Sequence, residues 1–139
     1  MTLSQPAPIA RGTPALPRVA TPKTAATARI NAALARLDTR WLAFQADCRN
    51  GGVNKADISV DRTVETTMRG PAYLSLVVRA DYYCGGAHPD TSAIALVYDL
   101  STGRPVDWMT LLPASLEAQA SLDEAADGAR MGVISSPVL

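Results

Sequence analysis

The sequence predicts an α+β fold, with an amphipathic N-terminal helix packed on an antiparallel sheet of three to four strands whose other face is partly solvated. Three observations lead there. Apolar residues recur at helical spacing from Ile30 to Phe44, two segments between residues 58 and 83 alternate apolar with polar, and turn signals at Gly70-Pro71 and Ser101-Thr102-Gly103 separate the extended pieces.

Residues 1–23 come first and carry five prolines. Proline removes a backbone donor and fixes φ, so this stretch is expected to run as an extended arm with little part in the core. Thr21 offers a hydroxyl N-cap with Pro22 in the first helical position. Ile30, Leu34, Leu37, Trp41 and Phe44 then follow at alternating four- and three-residue steps, placing all five on one face of a helix reaching about Cys48, with Gly51 and Gly52 stopping it. Such a stripe reads as core, Trp41 included.

Ile58, Val60, Val64 and Met68 share one parity, and Ser59, Asp61, Thr63, Glu65 and Thr67 the other, the pattern of a half-buried strand. After Gly70-Pro71 the alternation resumes over residues 73–83, with Leu74, Leu76, Val78, Ala80 and Tyr82 on one face, so the two runs predict an antiparallel hairpin. A third strand is expected over residues 92–100, then a shorter extended piece through 106–108, completing a meander. Residues 115–126 have helix-forming composition with a weak apolar stripe and are predicted as a second helix. Residues 24–139 are thus assigned to a single domain behind the arm.

Bulk properties exclude several classes of function. Thirteen basic and thirteen acidic residues balance to zero, without a basic stripe to neutralise a phosphate backbone, which disfavours nucleic acid. The longest apolar run, residues 93–97, is far below the roughly 20 residues of a spanning helix. After Met1 there is no early Lys or Arg followed by an apolar stretch, so this chain shows no secretory signal of its own. Cys48 and Cys84 lie in no Cys-x-x-Cys or Cys/His ligand spacing, which disfavours zinc. A structural disulfide is the natural reading, and two buried free thiols the alternative.

The run Tyr82-Tyr83-Cys84-Gly85-Gly86-Ala87-His88-Pro89, followed by Tyr98-Asp99-Leu100-Ser101-Thr102-Gly103, resembles the RsiV-like family. This is the domain of unknown function at the C-terminus of a lysozyme-sensing anti-sigma factor and beside the catalytic domain of a peptidoglycan deacetylase. In that family a strand ends in a Gly-Gly-Ala-His-Pro loop, a second ends in an Asp-Leu-x-Thr-Gly turn, and a Leu-Leu or Leu-Phe pair follows, here matched by Leu111-Leu112. Ile30-Asn31 and Tyr73-Leu74-Ser75-Leu76 extend the resemblance, which covers residues 30–112. The family domain continues with further strands, so the resemblance implies a smaller or incomplete version over residues 24–139. Cys84 is not general in the family, which leaves the disulfide reading to this sequence alone.

The resemblance implies an exported, periplasmic or otherwise extracytoplasmic module that binds or senses, with a lysozyme-like protein or cell-wall glycan as partner. Its alternatives are a deacetylase-like hydrolase of cell-wall carbohydrate and a ligand-free accessory domain. The candidate binding residues are Tyr82, Tyr83, His88 and Asp90, aromatic and polar groups on one glycine loop. Gly85, Gly86 and Pro89 are expected to shape that loop, and Asp99 and Gly103 to form a turn.

No catalytic residue, metal or cofactor is assigned. Ser75, His88 and Asp99 can be written as a triad, but Ser75 sits mid-strand without a nucleophile elbow. His88 with Asp90 or Asp81 supplies at most three metal ligands from one short segment without a supporting spacing.

Overall fold

The computed structural model of the chain describes residues 1–52, 57–107, 120–124 and 130–134. Residues 1–105 form one unit and residues 106–139 another.

In the first unit the arm is extended, as its prolines require, but it is not peripheral. β1 (Leu3–Ser4) pairs antiparallel with β2 (Arg18–Val19), and between them Thr13, Ala15 and Leu16 are buried. Leu16 joins the central cluster with Ile30, Leu34, Leu74, Leu76 and Tyr98. A chain segment without ladder partners can enter a core only if its backbone polar groups find others. Here helix side chains supply them: Asn31 accepts from Val19 N (2.8 Å) and donates to Val19 O (3.0 Å), and Asp38 accepts from Leu16 N (3.1 Å).

α1 spans Ala25–Gly51 with Gly52 as its C-cap, so the glycine stop falls where expected. Its start does not. The N-cap is Thr24 rather than Thr21, because Thr24 and Thr27 form a capping box: Thr24 Oγ1 accepts from Thr27 N at 3.1 Å, and Thr27 Oγ1 accepts from Thr24 N at 3.2 Å. Reciprocal satisfaction of two donors outweighs the preset φ of Pro22.

β3 (Ser59–Arg69), β4 (Tyr73–Tyr83) and β5 (Asp90–Asp99) form an antiparallel sheet in the order β3-β4-β5. α1 packs on one face of it through Ile30 and Leu34, which are fully buried against Leu74 and Leu76. The parity expected for β3 holds for Val60 and Val64 and fails at Met68. A register shift between Thr66 and Met68 inserts an extra residue, so Met68 pairs with Ser75 on the face away from α1 and is exposed. A bulge reverses side-chain parity beyond it, which an alternation count cannot see.

The fourth strand expected through residues 106–108 is not formed over its described part. Only Pro105 bridges to Tyr98, and Val106 and Asp107 are not in a strand, while Trp108 lies outside the described residues. A proline has no N–H with which to extend a ladder.

Helix and sheet match in length. Twenty-seven helical residues at a rise of about 1.5 Å and eleven strand residues at about 3.4 Å both reach roughly 40 Å, so α1 runs the length of β4 and is held at both ends. At its start Arg29 donates to Thr102 O, and Gly103 (φ +68°) lies against the Ala26 backbone, where a β-carbon would overlap the carbonyl. At its end Cys48 is disulfide-bonded to Cys84, with Cα atoms 4.9 Å apart. The alternative of two free thiols is therefore excluded.

The second unit contains β6 (Ala120–Glu124) paired antiparallel with β7 (Arg130–Ile134). The helix expected over 115–126 is thus corrected for residues 120–124; its remaining residues, like Leu111-Leu112, lie outside the described set. Helix propensity with only a weak apolar stripe gives way to cross-strand pairing.

Candidate functional site

Two features of the first unit bear on function: the glycine loop at its disulfide end and an apolar cleft between the middle of α1 and the sheet. The loop leaves β4 at Cys84, so the disulfide fixes its first residue to the end of α1. Gly85 has φ +85°, a left-handed conformation in which a β-carbon would be strained, whereas Gly86 has ordinary φ and open space around it. Only one of the two glycines is conformationally required.

The four candidate binding residues are brought near one another but do not form one cluster. Tyr82 and Asp90 are direct cross-strand partners on the face toward α1, and Tyr82 Oη donates to Asp90 Oδ2 at 3.2 Å. Partial desolvation, and then the Asp90 charge, raise the Tyr82 phenol above its ordinary pKa. Tyr83 faces the opposite side, and its hydroxyl donates to Gly86 O at 2.9 Å, closing the loop on itself. His88 is exposed, with Nδ1 3.0 Å from Pro89 O.

Strand alternation explains the split: Tyr82 and Tyr83 are consecutive, so they cannot share a face. The two also differ in work: Tyr82 joins a surface, while Tyr83 braces the loop.

That surface is aromatic. Phe44 meets the Tyr82 ring edge-on at 5.1 Å, and Trp41 lies 5.3 Å from Phe44, so three rings run from α1 to the loop. Beside Trp41 and Phe44 opens a cleft of about 230 Å³, walled by these two with Leu37 and Arg40 on the helix and by Arg62, Val78, Ala80, Ile94 and Leu96 on the sheet. The cleft exists because the sheet residues opposite the large rings are small: Ala80 and Ser92 are a cross-strand pair. The predicted helix stripe therefore divides. Ile30 and Leu34 are core, while Leu37, Trp41 and Phe44 are half-buried and line the cleft.

Arg62 in the cleft wall belongs to a charge network that the sequence reading missed. Asp38 accepts from Arg62 Nη2 at 2.7 Å and from Arg18 Nη2 at 2.6 Å, and Arg62 also donates to Pro14 O. The Arg62 side chain is 2% exposed and its guanidinium stacks 5.3 Å from the Trp41 ring. Its signal was present: Arg62 falls between Val60 and Val64 on the apolar parity of β3, and Asp38 beside Leu34 and Leu37 on the buried side of α1. Gln45 adds a neutral tie, donating to Thr13 Oγ1 at 2.8 Å. Together these contacts hold the helix wall of the cleft rigid against β3 and the arm.

The triad is not assembled. Ser75 lies on the face away from α1, accepting from Thr67 Oγ1 at 2.8 Å, and it stands eight strand positions, roughly 26 Å, from Tyr83 just before the His88 loop. Asp99 uses its carboxylate in the turn, accepting from Ser101 Oγ (2.6 Å), Ser101 N (2.7 Å) and Thr102 N (3.0 Å). Those hydrogen bonds, the Ser101 hydroxyl first, lower its pKa from the ordinary value. Asp81 and Asp90 lie on opposite faces of the sheet, and no group of three metal-ligating side chains occurs among the described residues.

Fold and site define a disulfide-clamped α+β domain with a largely apolar, aromatic-walled cleft and a braced loop. No protein-family model matches the chain, and no curated protein matches it either.

Proposed function

We propose that this protein is a non-catalytic binding or sensing module of the cell envelope, acting in the periplasm or another extracytoplasmic space. The observation that carries the reading is the row Trp41–Phe44–Tyr82, whose first two rings line an apolar cleft and whose third is hydrogen-bonded to Asp90. Aromatic faces with a few polar groups at their border suit sugar rings and apolar side chains of a partner protein alike. The Cys48–Cys84 bridge supports an oxidising compartment, where such bonds persist. The resemblance of the Gly-Gly-Ala-His-Pro loop and the Asp-Leu-x-Thr-Gly turn to the RsiV-like family supports a cell-wall glycan or a lysozyme-like protein as partner.

Purified protein is to be titrated with soluble peptidoglycan fragments and, separately, with a lysozyme, and the same sample assayed on acetylated glycans. Binding to one of the two, weakened about tenfold or more by Tyr82→Ala with the melting temperature unchanged, is the expected result. Turnover of the acetylated glycans that His88→Ala abolishes would replace the reading by the deacetylase-like one. Absence of binding to either probe would leave an accessory domain without ligand.

A further inference from the structure

We infer that Asn50 is a site of spontaneous covalent modification, converting in the folded protein to aspartate and isoaspartate through a cyclic imide formed with Gly51. Asn50-Gly51 is the one Asn-Gly pair in the sequence, and both residues are exposed in the last turn of α1. The reaction needs the Gly51 nitrogen to reach the Asn50 side-chain carbonyl carbon, an approach that a β-carbon on the second residue would hinder. Gly51 has none, and the space where one would stand is open. A helical backbone holds the two atoms apart and engages the Gly51 N–H, so the turn must open first. Two features favour opening. The turn runs into Gly51 and Gly52, poor helix formers, and Gly52 is extended (φ −74°, ψ 135°) in place of the left-handed residue that ties down the final carbonyls of many helices.

The chemistry balances with water as the only other reactant. The Gly51 nitrogen bonds to Asn50 Cγ, the Cγ–Nδ2 bond breaks, and the displaced nitrogen leaves as ammonia with the Gly51 amide proton. Water then opens the ring. Attack at Cγ gives aspartate on an unchanged main chain; attack at the backbone carbonyl gives isoaspartate, whose main chain runs through Cγ and is longer by one carbon. Both products place a carboxylate at the negative end of the α1 dipole and tip the balance of thirteen acidic against thirteen basic residues to a net negative charge. The added carbon of isoaspartate falls between two points held at the first residue of the glycine loop. Cys48 is disulfide-bonded to Cys84, and a β-carbon on Gly52 would stand 3.0 Å from Cys84 O.

Asn31 supplies an internal control, since it lies within α1 before Ala32 and its amide is held by Val19 N (2.8 Å) and Val19 O (3.0 Å). Folded protein and protein unfolded in urea are to be incubated at mildly alkaline pH, digested at acidic pH where the ring closes slowly, and mapped by mass spectrometry. The expected result is an Asn50 peptide that gains the mass of an amide turned carboxylate and separates into two forms, more slowly in the folded than in the unfolded chain. The Asn31 peptide of the folded protein is expected to stay unchanged, and Gly51→Ala to slow the conversion at Asn50. An Asn50 peptide unchanged in the folded protein over the incubation in which the unfolded chain converts fully would overturn the assignment, because the helix end would then be closed. So would an equal rate at Asn31 in the folded protein, or a rate at Asn50 that Gly51→Ala leaves unaltered.

Discussion

Asp38→Ala tests the buried charge network. The carboxylate takes two guanidinium groups and the buried Leu16 amide. Arg18 is 19% exposed in its side chain and can turn to water when its partner is removed, but Arg62, at 2%, cannot. The substitution therefore strands one buried cation, a loss of about 3–5 kcal/mol. Leu16 is held in the core, so its unpartnered N–H can only add to that loss, and about 3–5 kcal/mol is the minimum expected. At about 4 °C per kcal/mol for a domain near this size, the melting temperature falls by roughly 12–20 °C or more. Arg62→Met should cost less, because Asp38 keeps Arg18 and the new side chain still covers Trp41. Urea denaturation of both variants by circular dichroism supplies the measurement. A loss below about 1 kcal/mol in Asp38→Ala would mean that the network is solvated and contributes no rigidity to the cleft wall.

Cys48→Ser releases a loop of 36 residues; by the chain-entropy argument the bridge is worth about 4 kcal/mol, so thermal melts with and without reductant should differ for the wild type and coincide for the variant. The glycines of the loop should respond unequally: Gly85→Val, at φ +85°, costs about 1–3 kcal/mol while Gly86→Val is tolerated, and equal melting temperatures would show the loop to be unconstrained. Gly103→Ala should destabilise more than Gly85→Ala, since its β-carbon meets the Ala26 backbone as well as an unfavourable φ. Asp99 has its pKa lowered in the fold, so its contribution is present above the unfolded value of about 3.9 and is lost as pH falls through the folded one. Melts in that acid range should show a steeper decline for wild type than for Asp99→Asn.

The sequence by itself determined the pieces whose cause is local. Helical spacing placed α1, alternation placed β3 and β4, a turn signal bounded β5, glycines marked the helix stop, and two cysteines without a metal spacing pointed to a disulfide. Gly103 and Asp99 were legible as a turn because their conformational and hydrogen-bonding preferences act within a few residues. The candidate site was legible only in part: the loop was visible as a motif, but the cleft between helix and sheet was not.

Tertiary structure decided what depends on distant partners. The arm became core because Asn31 and Asp38, on a helix that follows it, satisfy its backbone. Residues 120–124 became a strand because 130–134 pair with them. Met68 changed faces at a bulge whose cause lies in the register with β4, and Arg62 entered the interior because Asp38 and Trp41 meet it there. Trp41 and Phe44 line a cleft instead of filling the core because Ala80 and Ser92, paired on two strands opposite them, are too small to close it. A side chain's periodicity tells which way it faces; only the volume of what faces it decides whether the space between them fills.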